Sequence, residues 1–117
     1  MHICYKSITV FLISVLLFAG CTEPKDDGKI TIACTTGIVA DCIRNIVSDE
    51  VEVIALMGAG VDPHLYKASQ GDIAKLSTAD IIVYNGLHLE GKMAKMLENY
   101  SKQKPVFALG NYIPKEQ

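Results

Sequence analysis

The chain has no excess of basic residues, no paired-cysteine motif and no apolar run long enough to span a bilayer. Each absence closes off a class of function. Over 117 residues there are 11 Lys and Arg against 13 Asp and Glu, a net charge of −2 without a basic cluster. A nucleic-acid surface needs a concentrated positive field, so nucleic acid is not expected as a partner. None of the four cysteines stands in a Cys-x-x-Cys arrangement, which removes the common zinc and dithiol redox patterns. Gly-x-Ser-x-Gly, His-Glu-x-x-His and Walker sequences are all missing, so nothing supports an exported hydrolase or a phosphate-binding loop. Gly58-x-Gly60 is half of a dinucleotide fingerprint, but Pro63 stands where the third glycine belongs. Neither an internal repeat nor a low-complexity tract is present.

What is there begins with an export signal. Met1 to Ser7 carries one basic side chain, Lys6, and Ile8 to Phe18 is an almost wholly apolar run of eleven residues ending in Ala19-Gly20-Cys21. A charged start, a short apolar run and small residues describe a secretory signal peptide. The run is short of the ~20 residues a membrane-spanning helix takes. Small residues just before Cys21 resemble the bacterial lipobox, although Phe18 stands where an aliphatic residue is usual. The alternative is ordinary cleavage with Cys21 incidental. A lipidated Cys21 would begin the mature chain, and several buried acyl chains at ~0.8 kcal/mol per CH₂ would hold it on a membrane. The expected organisation is a leader over 1–20, a polar tether over 21–28 and one folded unit over 29–117. The mature chain keeps ten basic against thirteen acidic residues. Cys34 and Cys42 remain in it and read as small buried residues; a bridge between them demands a specific close geometry.

The folded part alternates strands and helices. Lys29–Cys34 is a β-branched run, and Thr35-Thr36-Gly37 turns the chain. Ile38, Val39, Cys42, Ile43, Ile46 and Val47 recur at helical spacing, which predicts one buried face, with Asp41 in the first turn beside the helix dipole. Val51–Leu56 is a second strand. Ser69-Gln70-Gly71-Asp72 has the form of a helix cap, and the helix it opens runs to about Thr78 with Ile73 and Leu76 inward. Asp80–Tyr84 is apolar too continuously for a half-exposed strand, which suits a parallel sheet covered on both faces. Asn85-Gly86 breaks it. Glu90–Tyr100 returns to helical spacing through Met93, Met96, Leu97 and Tyr100, the methionines read as core filler. Pro105–Leu109 is a fourth strand, and Gly110–Gln117 is a tail without clear structure. The order β-α-β-α-β-α-β predicts an α/β fold, a four-stranded mostly parallel sheet with helices on both faces. In such sheets ligands gather beyond the carboxyl ends of the strands, where Thr35-Thr36, the loop after strand two and Asn85-Gly86 all emerge.

That second loop, Gly58-Ala59-Gly60-Val61-Asp62-Pro63-His64-Leu65-Tyr66, carries the candidate site. Two glycines ease the turn. Pro63 fixes its own φ and pushes Asp62 into an extended conformation. His64 is thereby delivered from a stiffened loop, which suits a metal ligand because a pre-positioned group loses less entropy on binding. The same nine residues also fit a turn whose histidine is merely exposed.

Taken together, Gly60 to Tyr66, Ser69 to Asp72, Ala79 to Leu87 and Leu89-Glu90 closely resemble the solute-binding proteins of zinc and manganese ABC transporters. The order of motifs and the loop lengths match over about residues 29–114. The resemblance implies two α/β lobes joined by a rigid helix, with one Zn or Mn ion held between them as cargo for a permease in the cytoplasmic membrane. It assigns His64 as a metal ligand, with Asp62 and Pro63 shaping its loop, and a lipid anchor at Cys21 outside the cytoplasmic membrane. The family's other ligands, a histidine beyond the fourth strand and two groups from the second lobe, have no counterpart before Gln117. His88 follows the third strand, where the family has no ligand, and reads as a loop histidine. The chain thus corresponds to an incomplete N-terminal lobe, expected to bind metal weakly alone because a stable zinc site takes three or four protein ligands. A metal-independent surface adhesion role is the other reading, and no enzymatic one is expected.

Overall fold

The computed structural model describes residues 28–114. The leader, Cys21, residues 21–27 of the tether and residues 115–117 lie outside the described residues. Four strands, β1 (Ile30–Thr36), β2 (Val51–Met57), β3 (Ile81–Tyr84) and β4 (Val106–Ala108), alternate with helices α1 (Gly37–Arg44), α2 (Gln70–Thr78) and α3 (Ala94–Ser101). All neighbours pair in parallel, in the order β2-β1-β3-β4. Two packed layers follow from the alternation of side chains along each strand. Ile32 and Cys34 face Val39 and Ala40 of α1, while Ala33 and Ile82 face Leu76 of α2 and Met93 and Leu97 beside α3. Leu76 and Leu97 are wholly buried, each contributing about 1.5–3 kcal/mol by leaving water. Helices therefore cover both faces, as the unbroken apolar runs of the strands predict.

Two of the three helices carry side-chain caps that explain where they start. Thr36 caps α1 by accepting from the Val39 amide at 3.3 Å. Ser69 and Asp72 form a complete capping box at α2, and Lys104 closes the other end of that helix by donating from Nζ to the carbonyls of Leu76, Ser77 and Ala79. These carbonyls are among those a helix leaves unpaired at its carboxyl end.

Three sequence expectations are corrected. First, α1 ends at Arg44 and buries Val39 and Ala40 with Ile43 half-buried beside them, leaving Ile38 and Ile46 at 77 % and 78 % exposure and Cys42 exposed. Residues 38 and 42 lie about 100° around the helix from 39 and 43, and the sheet accepts only one of the two stripes, while Ile46 and Val47 fall past the helix end. Asp41 falls beyond the first turn and pairs instead with Arg44 at 2.8 Å, an exposed contact of little energetic weight. Cys34 is buried as expected, its thiol pushed up to about 11 chiefly by desolvation, and both cysteines are free. Second, α3 starts at Ala94 rather than Glu90, and residues 87–93 are turns. Third, the segment after β4 forms a short 3₁₀ turn over Leu109–Tyr112.

The late start of α3 has a physical cause. Glu90 is buried with 2 % exposure, and its carboxylate collects donors from two strand ends. Thr35 Oγ1 donates to Oε1 at 2.7 Å, the Asn85 amide at 2.8 Å and Asn85 Nδ2 at 3.0 Å, while the Gly86 amide donates to Oε2 at 3.1 Å. Reaching them demands a tight reversal, and Gly86, Leu87 and His88 all take positive φ, 80°, 51° and 65°. Leu87 then lies against Gly110, where a Cβ would meet Leu87 Cγ at 2.5 Å, so the close approach requires glycine.

Desolvation alone raises the Glu90 pKa, but the donors from Thr35, Asn85 and Gly86 outweigh it and hold the carboxyl below its usual range. A depressed folded-state pKa contributes stability above the unfolded value, about 4.3, that is lost as pH falls through the folded one. Glu90→Gln turns an NH₂ toward one of these donors and should cost about 1–3 kcal/mol at pH 7. Urea denaturation of both proteins from pH 7 to pH 3 should show that gap closing as the wild type loses its carboxylate. A gap that stays constant with pH would exclude an ionised Glu90 as the source.

Candidate metal centre

The His64 loop leaves the carboxyl end of β2, an edge strand, and runs from Gly58 to Ser69 before α2 begins. Its geometry is built locally. Gly60 takes φ 80°, a left-handed conformation that favours glycine, and the Val61 amide donates to the Gly58 carbonyl at 3.4 Å. Asp62 Oδ1 accepts from the His64 amide at 2.9 Å, an Asx turn in which a side chain stands in for backbone. The Tyr66 amide donates to the Asp62 carbonyl at 3.1 Å, closing one turn around Pro63, His64 and Leu65. His64 itself is exposed. The described residues thus hold its backbone in place and leave its imidazole facing solvent.

Beyond His64 the loop is tied to α2. Tyr66 Oη donates to Asp72 Oδ2 at 2.6 Å, and the same oxygen accepts from the Ser69 amide at 2.8 Å and Ser69 Oγ at 2.7 Å. Asp72 is buried. Burial alone would raise its pKa, yet the bonds from Ser69 and Tyr66 bring it below the usual value. The hydrogen bond to that carboxylate holds the Tyr66 phenol proton and pushes its pKa up to about 12. The bond therefore keeps its donor and its acceptor across the neutral range.

Beside the loop lies a cleft of about 360 Å³, lined by Thr36, Gly37, Ile38, Met57, Pro63 and Asn85 among others. It opens at the carboxyl ends of β1, β2 and β3, the edge at which ligands usually bind in open α/β sheets. The Thr35–Glu90–Asn85 cluster joins the ends of β1 and β3 at the same edge, with Asn85 lining the cleft. Ile38 and Val61 of the lining are exposed, as are Leu65 and Leu87 on loops leaving the same edge of the sheet.

Pro63 lines the cleft, whereas His64 and Asp62 stand outside its lining. His88 is exposed on the turn after β3. Among the described residues no group of three or more His, Cys, Asp or Glu side chains could hold a metal ion. The site residues found only in the structure are Glu90, Tyr66 and Asp72. The Ser69–Asp72 cap signalled one bond of Asp72, but nothing local announced that a tyrosine three residues before the cap would share it.

Comparison with known proteins agrees with this fold. A family model described as zinc-uptake complex component A, periplasmic (ZnuA), matches residues 32–117. The manganese-binding lipoprotein MntA of Bacillus subtilis is 50 % identical over 91 residues, covering 78 % of this chain and 30 % of the relative. The zinc-binding protein TroA of Treponema pallidum is 43 % identical over 98 residues, covering 84 % and 32 %. The solved structure of the Treponema protein superposes with a TM-score of 0.73 at 44 % identity, over 76 % of this chain and 32 % of that one. A manganese-bound periplasmic metal-binding protein from Candidatus Liberibacter asiaticus gives 0.66 at 34 % identity, over 74 % and 32 %. The chain spans about a third of the length of these relatives. It belongs to the zinc-uptake complex component A family of periplasmic proteins.

Proposed function

We propose that this chain is the N-terminal lobe of an extracytoplasmic binding protein that captures Zn²⁺ or Mn²⁺ for an ABC permease. His64 is the metal ligand this lobe contributes, and Asp62 and Pro63 shape its loop. The observation that carries the reading is an exposed imidazole at the carboxyl edge of the sheet, on a backbone fixed by Asp62. The exposed apolar side chains on the same rim suit a face that closes against a second lobe. The role is binding and delivery, without bond-making chemistry. Residues 1–20 serve as the export leader, Cys21 as the lipid attachment point and residues 21–28 as the tether that lets the lobe stand off the membrane.

A complete structural zinc site supplies about 10–16 kcal/mol from four ligands, so one imidazole supplies about a quarter of that. This corresponds to roughly millimolar affinity. Zinc titration of the mature chain, followed by the His64 ring proton in NMR, should give a midpoint near that value. His64→Ala should remove the response and His88→Ala should not. Tight binding that survives His64→Ala would eliminate His64 as the ligand.

Expression in a bacterial host fed a labelled fatty acid tests the anchor. The wild type should carry label in the membrane fraction and Cys21→Ser should lose it. An unlabelled wild type would mean ordinary secretion and a soluble lobe.

A further inference from the structure

We propose that the Tyr66 hydroxyl and the Asp72 carboxylate act as a strut that sets the position of His64. The inference rests on the reading of His64 as a metal ligand and adds two positioning residues to it. The loop from Gly58 to Ser69 contains no regular structure, so its order comes from individual bonds. Before His64 these are the Val61–Gly58 turn and the Asp62 side chain on the His64 amide. Both are local and exposed, and neither fastens the loop to the body of the lobe.

Tyr66 does. It follows His64 by two residues, its amide closes the turn onto Asp62, and its ring packs against the core cluster that contains Leu76 and Leu97. Its hydroxyl reaches Asp72 Oδ2 at 2.6 Å, in the range of a charge-assisted O–H···O⁻ bond, which is shorter and stronger than a neutral one. The partner is itself immobile, because Asp72 lies in the first turn of α2 and is held by the Ser69 amide and hydroxyl. A capping box is complete with Ser69 and Asp72 alone. The third donor, from a loop residue outside the helix, adds nothing to the cap. Its effect is to tie the metal loop to the helix N-terminus. A ligand fixed before binding loses less entropy when the ion arrives.

Tyr66→Phe removes only the hydroxyl and keeps the ring in the core. Manganese broadening of the His64 ring proton registers fractional occupancy of a weak site, and ¹⁵N relaxation of residues 62–66 registers loop order. In Tyr66→Phe the Mn²⁺ needed for equal broadening should rise about tenfold, the lower end of the usual cost of losing a supporting bond at a metal site. Loop order should fall while the amide signals of α2 stay in place. Lys104→Met, which removes the bonds at the far end of α2 and touches neither Tyr66 nor Asp72, should lower the unfolding midpoint without altering either His64 readout. Equal broadening and equal loop order in wild type and Tyr66→Phe would overturn the strut. Absence of broadening in the wild type would overturn His64 as ligand and with it the functional half of the proposal; the relaxation data would still decide whether the bond holds the loop.

Discussion

One buried carboxylate organises the edge of the sheet on which everything else is displayed. Parallel strands that stop side by side leave amide donors at their carboxyl ends with no further strand to satisfy them, and buried donors without partners are costly. Glu90 answers that need for the Asn85 and Gly86 amides after β3 and ties them to β1 through the Thr35 hydroxyl. The linkage extends further. Asn85 Nδ2 also donates to Thr36 Oγ1 at 3.2 Å, the atom that caps α1. The Asn85 carbonyl accepts from the Gly110 amide at 2.7 Å, where the chain leaves β4. Three strand ends and a helix cap are thus joined through one residue. The left-handed run from Gly86 to His88 is the backbone conformation that brings Glu90 into place, and strain of this kind persists only where surrounding structure over-determines it.

Asp72 repeats the arrangement on a smaller scale at the second helix. In both cases a carboxylate enters the interior because donors outnumber the acceptors that backbone alone can offer, and in both the bonds outweigh desolvation. Buried charge is tolerable only when so satisfied. Among the described residues no buried side-chain nitrogen or oxygen lacks a partner. The fold therefore keeps its buried carboxylates at the sheet edge and at a helix start and leaves its two apolar layers for packing.

Against that rigid frame the exposed groups stand out. His64 faces solvent, and Ile38, Val61, Leu65 and Leu87 are exposed at the same edge of the sheet. Under the proposed reading, affinity for metal is a joint property of this face and whatever closes over it. On that reading His64 would be one donor, and the three or four a stable site takes would be completed elsewhere. The relatives, about three times as long, have room for that completion.

The alternation of strands and helices, the parallel sheet and the cap at Ser69–Asp72 were all legible in the residues, because apolar runs, periodicity and capping are local. The loop bearing His64 was legible for the same reason: its turn is built from neighbours within a few positions. Other features had no local signal. Residues 38, 42 and 46 match helical spacing as well as 39, 43 and 47 do, and only contact with β1 and β2 selects between the stripes. Glu90 sits in a segment with helical periodicity, yet a bond to Thr35, 55 positions away, draws it inward and delays the helix. Sequence alone determined which elements form and where the His64 loop lies. Which faces are buried, where the last helix begins and what anchors the loop were decided by tertiary structure, since a buried charge goes where distant donors converge.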